Sequence, residues 1–349
     1  MIICSPQLGL SPQSNSGGEV YDREVINRLC HQGVKVLTLL PKNRLYLKNQ
    51  NLSVQFAPVK SMYPPHIFNP FALDYLLKTY RREKFNLLRV HNPYFIGPAA
   101  VIFKKLYPLV PIVASYLHLE SGVNHWIDKF VIKYFDHIIT ISKSTKSEII
   151  EQLKYSSENI SVAYPGVDER FQPGKKTSRK FTIMFVGGLK ARKNPEFLLK
   201  VMQRINRSDA QLIFAGNGPL EYRLRGKNIQ VTGFIPEAEK PAFYHQADVV
   251  VLPSLKEGFG MTLAEAGASG IPVIGNNHSS IKEIIQPGRT GFLAKTNDIE
   301  DWADKLLQLI KSPQLCRQMG QAGQKFVRTN FTWENNLKIH LRVYENLIS

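Results

Sequence analysis

The stretch PSLKEGFGMTLAEAGASGIPV, residues 253–273, places two carboxylates, Glu257 and Glu265, eight residues apart among four glycines. It follows an apolar run at 248–252, and Glu265 falls inside a helix expected over 261–269. If the intervening turns are helical, eight residues rise about 12 Å. A pair acting as acid and base on one glycosidic bond stands about 5 to 9.5 Å apart. The spacing therefore suits two points on a longer ligand. Gly258 and Gly260 let backbone approach that ligand, and free amides at the helix start can bind phosphate. On these residues alone, a helix start with a dipole-favourable Glu257 and a solvated Glu265 remains an equally open reading.

Other residues of chemical interest also follow apolar runs. Lys193 lies in FVGGLKARKNPEFLLKV, 185–201, which begins with Gly187 and Gly188 after a run at 181–186 and carries Arg192 beside the lysine. Gly17 and Gly18 lie in NSGGEV, 15–20, and His118 in ASYLHLE, 114–120. Ser142 in TISKST, 140–145, frames the same side of the fold, and His91 and Asn92 face it as acceptor-side candidates. Alone, each has a plain structural reading: a loop glycine pair, a core histidine, a surface lysine. The cysteines Cys4, Cys30 and Cys316 are far apart and odd in number. They form no disulfide framework or zinc spacing, which favours a reducing compartment.

The elements that must position these residues are short apolar runs with helices between them. Seven runs fall in the first half, at 1–4, 34–40, 52–56, 87–90, 112–117, 137–141 and 160–163. Six more, at 181–186, 211–215, 229–231, 248–252, 272–274 and 291–294, follow in the second. Continuous rather than alternating apolarity marks strands of parallel sheets. Tyr21, Val25, Ile26 and Leu29 share one helical face with Gly33 as its stop, and Phe197, Leu198, Val201 and Ile205 repeat the pattern. The expected class is α/β with two doubly wound Rossmann-like domains facing a central cleft. The proline- and glycine-containing segment 164–180 reads as the linker. The domains are then 1–168 and 169–332, with an amphipathic helix over 333–349 that crosses back or stays. Such sheets bind ligands at the carboxyl ends of their strands.

The 349 residues carry a net charge of +17, with 20 Lys/Arg against 13 Asp/Glu up to residue 170 and 25 against 15 beyond it. The excess is spread over both halves, as on a basic surface or one that attracts an anionic partner. The start of the chain has no basic segment before a long apolar one, and no run of about 18 apolar residues occurs. The expected location is cytoplasmic, with the inner face of the membrane as the alternative. The mixed basic and apolar segments 75–85 and 101–110 read first as amphipathic helices packing on the sheet, and otherwise as patches that rest on anionic lipid.

EGFGMTLAEAGASGIPVIG resembles the Glu-x7-Glu signature of retaining glycosyltransferases of family 4, which have the GT-B fold. FVGGLKARKNPEFLLKV, LIFAGNGPL, VTGFIP, YHQADVVVLPS and PGRTGFLA resemble that family's other segments, in its order, across 160–300. The first half resembles it more loosely.

The resemblance implies that Glu257 holds hydroxyls of a donor sugar and Glu265 the ribose of its nucleotide. The backbone of Gly258, Phe259, Gly260, Met261 and Thr262 would approach the donor. Lys193 would bind the diphosphate, whose charge grows in the transition state. His118 matches an active-site histidine, and Gly17 and Gly18 a glycine loop near the phosphates. The family has Gly-Arg where this chain has Gly187-Gly188, which leaves Arg192 as the candidate guanidinium.

Transfer would retain anomeric configuration, with the acceptor hydroxyl attacking from the leaving-group face and the leaving phosphate taking its proton. The substrates implied are a UDP- or GDP-linked sugar and a carbohydrate, lipid-linked or small-molecule acceptor, in cell-surface glycan or glycolipid synthesis, without a cofactor. No Asp-x-Asp occurs in the chain, so no metal is expected. The rivals are a nucleotide-sugar epimerase or phosphorylase of the same fold, and a non-catalytic basic binding protein. No zinc cluster or RNA-binding signature supports the last, and nucleic acid is not expected as a partner.

Overall fold

The computed structural model describes every residue except 8, 15, 16, 62–64, 120 and 177. Asn15 and Glu120, at the ends of two segments of interest, and Thr177 of the expected linker lie outside the described residues. The chain forms two compact units, Met1–Tyr164 together with Trp333–Ser349, and Pro165–Thr332.

The first unit holds strands β1 (Ile2–Cys4), β2 (Lys35–Pro41), β3 (Leu52–Ala57), β4 (Leu87–His91), β5 (Ile112–Tyr116), β6 (His137–Thr140) and β7 (Ile160–Val162). They lie in the order β3-β2-β1-β4-β5-β6-β7, and every pairing is parallel. All residues of β4 and β5 are buried, which explains their unbroken apolar runs. Helix Gly17–His31 buries Tyr21, Val25, Ile26 and Leu29, and the chain leaves it at Gly33, whose φ is +79°. Helix Trp333–Ile348 belongs to this unit. Its Asn336 donates to the carbonyls of Ala163 (3.0 Å) and Tyr164 (2.9 Å), and Trp333 packs on Tyr21 with ring centroids 5.9 Å apart.

Helix Pro65–Glu83 buries Tyr75 and Leu76, and Phe85 just beyond it is buried too. The apolar members of 75–85 therefore pack on the sheet, which removes that segment as a lipid contact. The structure also corrects one weaker expectation. His91 is enclosed beside Asp22 (3.1 Å), which pairs with the fully buried Arg89 at 2.5 Å, so it belongs to a core ion cluster and presents nothing to an acceptor. Ser142 caps helix Lys143–Leu153 by accepting from the Thr145 amide at 3.0 Å.

The second unit holds β8 (Phe181–Val186), β9 (Ala210–Ala215), β10 (Ile229–Gly233), β11 (Val249–Leu252), β12 (Val273–Asn276) and β13 (Gly291–Ala294). Their order is β10-β9-β8-β11-β12-β13, again parallel throughout. The order reverses between β8 and β11, the place where doubly wound sheets bind ligands. The segment read as a linker is not free. The Arg328 guanidinium, from helix Pro313–Asn330, donates to the carbonyls of Asp168 (3.3 Å), Glu169 (3.3 Å) and Phe171. Those residues are part of the second unit's own packing.

Candidate functional site

The loops leaving β8 and β11 meet at the switch point of the second unit. After β8 the chain turns at Gly187, whose φ of +147° suits glycine and whose amide donates to the Ala215 carbonyl at 2.9 Å. A Cβ on Gly216, after β9, would stand 2.0 Å from the Gly187 carbonyl oxygen, so these two loops touch backbone to backbone. The turn Ala191–Lys193 then aims Lys193 across the switch point. Two bonds lace it to the loop after β11. The Leu255 amide donates to the Arg192 carbonyl at 2.9 Å, and the Arg192 guanidinium donates to the Lys256 carbonyl at 2.5 Å.

Glu257 is held within this lacing. Its carboxylate lies 2.5 Å from the Lys193 ammonium and 3.8 Å from the Arg192 guanidinium. The Glu257 side chain is 7% exposed and that of Lys193 17%, so the pair is largely shielded, whereas Arg192 at 53% faces solvent. Burial pushes the Glu257 carboxyl up, but the Lys193 ammonium, helped by Arg192, outweighs it and leaves the group below the usual carboxylate range. The loop is braced from β12 and the turn after it. Asn276 donates to the carbonyls of Pro253 (2.8 Å) and Ser254 (2.9 Å). Ser280 donates to those of Glu257 (3.0 Å) and Phe259 (2.9 Å), and the Ser279 hydroxyl accepts from the Glu257 amide at 3.3 Å.

Helix Met261–Ala268 begins only after this loop, so Glu257 precedes it and a helical rise does not measure the distance between the two carboxylates. Gly260 opens the helix at φ +108°, and a Cβ there would meet the Ile284 methyl at 3.1 Å. Among the described residues, no side chain caps the helix start. The Phe259 ring is buried against Phe331, centroids 5.1 Å apart, which leaves only its backbone for a ligand. The Thr262 hydroxyl is buried and has no hydrogen-bond partner among the described residues.

Glu265 is buried inside the helix, where it accepts from the Tyr244 hydroxyl at 2.9 Å. Burial raises its carboxyl above the usual range. The Lys240 ammonium and the Tyr244 hydroxyl pull it back without cancelling that effect. Lys240 in turn pairs with Glu237. A carboxylate that resists ionisation needs hydroxyl donors to be satisfied, and a ligand rich in hydroxyls supplies them.

In the first unit, Gly17 and Gly18 form the first turn of helix Gly17–His31 and not a loop before it. Gly17 has open space around it, and a Cβ on Gly18 would stand 2.9 Å from Leu117. Leu117 immediately precedes the partly exposed His118, just past β5, so the structure brings Gly18 close to that loop. Sequence reasoning missed Tyr244, Lys240, Asn276, Ser279 and Ser280. Asn276 to Ser280 form a polar run directly after a strand, the same signal that pointed to Glu257. Among the described residues, no group of three or more His, Cys, Asp or Glu is arranged to hold a metal ion.

Two parallel, doubly wound units, the second with a buried acid–cation pair at its switch point, define the GT-B class of fold. Residues 15–171 match the family model Glycosyltransferase Family 4, and residues 167–326 match Glycosyl transferases group 1. The chain is a GT-B glycosyltransferase of this group. It is similar to N-acetyl-alpha-D-glucosaminyl L-malate synthase of Bacillus anthracis, at 24% identity over 99% of this chain and 96% of that protein. An uncharacterized glycosyltransferase of Methanocaldococcus jannaschii is 25% identical over 81% of this chain and 84% of its own. Among solved structures, sucrose-phosphate synthase from Thermosynechococcus elongatus superposes with a TM-score of 0.85 at 17% identity, covering 99% and 98% of the two chains. Anabaena HepE in complex with UDP and glucose gives 0.77 at 16%, covering 98% of each.

Proposed function

We propose that this glycosyltransferase takes its sugar from a nucleoside-diphosphate sugar and transfers it to an acceptor hydroxyl with retention of configuration. The observation that carries the proposal is the shielded Lys193–Glu257 pair at the β8/β11 switch point, with Glu265 buried eight residues further on. Lys193 binds the diphosphate and stabilises the charge it gains as the anomeric C–O bond breaks. Glu257, released from part of its bond to Lys193, accepts hydroxyls of the sugar, and Glu265 accepts those of the ribose. The Gly258–Thr262 backbone and the unpartnered Thr262 hydroxyl line the donor. Arg192 supplies a second cation, a role its exposed guanidinium beside Glu257 supports. His118, Gly17 and Gly18 serve from the first unit, which takes the acceptor. The acceptor oxygen forms the new bond on the leaving-group face, and its proton passes to the departing diphosphate.

Retention and a cell-surface glycan or glycolipid product are supported by the sequence resemblance. UDP as the nucleotide is supported by the HepE complex.

The test is thermal stability against a panel of nucleoside diphosphates and nucleotide sugars, repeated with Glu265→Ala. A ligand at 100 times its Kd adds about 2.7 kcal/mol. A shift for one base family that disappears in the variant is expected. No shift with any nucleotide would overturn the donor assignment. NMR of the product's anomeric proton then decides retention.

A further inference from the structure

Six large apolar side chains of the first unit face solvent within two adjacent segments. Helix Pro93–Leu106 and the turn after it expose Ile102, Leu106 and Leu109, the last at 95%. Helix Val123–Val131 exposes Val123 (75%), Trp126 (71%) and Phe130. The two helices pack together: a Cβ on Gly97 of the first would touch Val131 of the second at 3.0 Å. Val123, Trp126 and Phe130 are spaced as one helical face, turned away from the buried Asp128 and Val131. Single exposed apolar residues are ordinary, but six of them on two segments that pack together mark a contact surface.

Lysines stand among these rings. The Lys129 ammonium lies 5.3 Å from the Trp126 ring, Lys133 5.5 Å from Phe130 and 5.4 Å from Tyr134, and Lys105 5.7 Å from Tyr134. Among the described residues, none of the three lysines has a carboxylate partner. Asp128 is buried and accepts from the Tyr116 hydroxyl at 3.1 Å, and Asp136 is held by Lys104 at 2.8 Å. The face therefore combines protruding aliphatic and indole groups with unneutralised ammonium groups, on a chain of net charge +17.

We infer that this face docks on an anionic lipid bilayer. Trp126, Phe130 and Leu109 enter the headgroup–acyl boundary, while Lys105, Lys129 and Lys133 stay at phosphate level on their long stems. An RNA or acidic-protein partner explains the lysines but leaves the exposed aliphatic groups without a role. His118 precedes helix Val123–Val131 by five positions in the chain, so docking would bring it near the bilayer surface.

The test uses the full chain with phosphatidylcholine vesicles, with and without phosphatidylglycerol, and needs no sugar transfer. Its failure is therefore distinct from failure of the donor assignment. Trp302 and Trp333 are buried, so a blue shift of tryptophan emission on vesicle addition reports Trp126. The expected results are co-sedimentation with the phosphatidylglycerol vesicles only, a blue shift, and weakening by salt. Trp126→Ala with Phe130→Ala should weaken binding at least tenfold. Lys129→Gln and Lys133→Gln should each weaken it about fivefold. Trp126→Phe should abolish the shift with little loss of binding. Circular dichroism should be unchanged for all, since every altered side chain is exposed. No binding to anionic vesicles, or binding without a Trp126 shift, would overturn the inference. So would a dimer in light scattering that the Trp126/Phe130 variant dissociates, which would make a second copy the occupant.

Discussion

At the scale of the residue, the site rests on a compensated pair. Lys193→Met leaves the buried Glu257 with the exposed Arg192 as its remaining cation among the described residues, and an uncompensated buried carboxylate costs about 3–5 kcal/mol. Adding Glu257→Leu should restore most of that stability in urea denaturation, while transfer stays at background in both variants. Full additivity of the two losses would dissolve the pair. Glu265 behaves oppositely. Its raised pKa means that the folded protein carries an ionisation cost that is absent below the usual carboxylate range. The cost grows as pH climbs from there to the raised value and is constant above it. Glu265→Gln should therefore raise the melting temperature at neutral pH while lowering nucleoside-diphosphate affinity about 10- to 100-fold, as expected for a charge-assisted bond. Calorimetric melting and titration check the two signs separately. Glu257, Glu265 and Lys193 stood out in the sequence because their segments resemble the family's motifs; the residue types alone left a plain structural reading open. Tyr244 did not, because its bond to Glu265 joins residues 21 positions apart and nothing local to either announces the other. His91 and Ser142 also follow apolar runs, yet one completes a buried ion cluster and the other caps a helix.

At the scale of the element, all thirteen strands among the described residues were legible to within a residue or two. Parallel strands covered on both faces must be apolar along their length, and glycine and proline punctuate them. Two helix starts of interest were legible as well. NSGGEV reads as opening a helix, and Gly17 and Gly18 form its first turn, where Leu117 leaves no room for a Cβ at Gly18. The loop before helix Met261–Ala268 was legible, but the bonds that tie it down, from Asn276 to Pro253 and Ser254 and between Ser279, Ser280 and Glu257 and Phe259, have no local trace. The glycines around β8 give a contrast. Gly216→Ala combines a φ of +144° with a Cβ 2.0 Å from a backbone oxygen, so a loss of at least about 2 kcal/mol is expected. Gly188→Ala meets nothing nearer than a Lys190 methylene at 3.7 Å and should be neutral or stabilising by about 0.4–1 kcal/mol. Equal effects of the two in chemical denaturation would contradict the crossing of the β8 and β9 loops.

At the scale of the whole molecule, the chain makes two parallel sheets whose strand orders match except for the extra strand β7 of the first, and then returns its last helix to the first. The helix's amphipathic pattern was plain in the sequence, but its destination was not, since an apolar face does not name its partner. The polar residues on that face name it. His340 is fully buried, with Nε2 3.3 Å from the Tyr21 hydroxyl and Nδ1 2.9 Å from that of Tyr344, while Asn336 reaches the Tyr21 hydroxyl at 3.3 Å. Burial, reinforced by the nearby Arg89, lowers the His340 pKa to about 3 against a usual 6.5. The folded protein thus holds a neutral imidazole where the unfolded chain would bind a proton. Above pH 6.5 neither state binds it, and the contribution to stability is complete. Between 6.5 and about 3 the unfolded state gains the proton first, so stability should fall with acidification at a slope approaching 1.4 kcal/mol per pH unit from this one residue. His340→Gln keeps a donor and an acceptor between the two tyrosines but cannot titrate, and should remove that component of the slope. Hydrogen exchange followed by peptide mass across pH 6.5 to 4 separates the units. Protection over Trp333–Ile348 and Gly17–His31 should fade with falling pH in the native chain and resist it in the variant, whereas that over Pro165–Thr332 should not distinguish them. An identical pH slope in the two proteins would mean that the C-terminal helix is held without regard to the charge of His340.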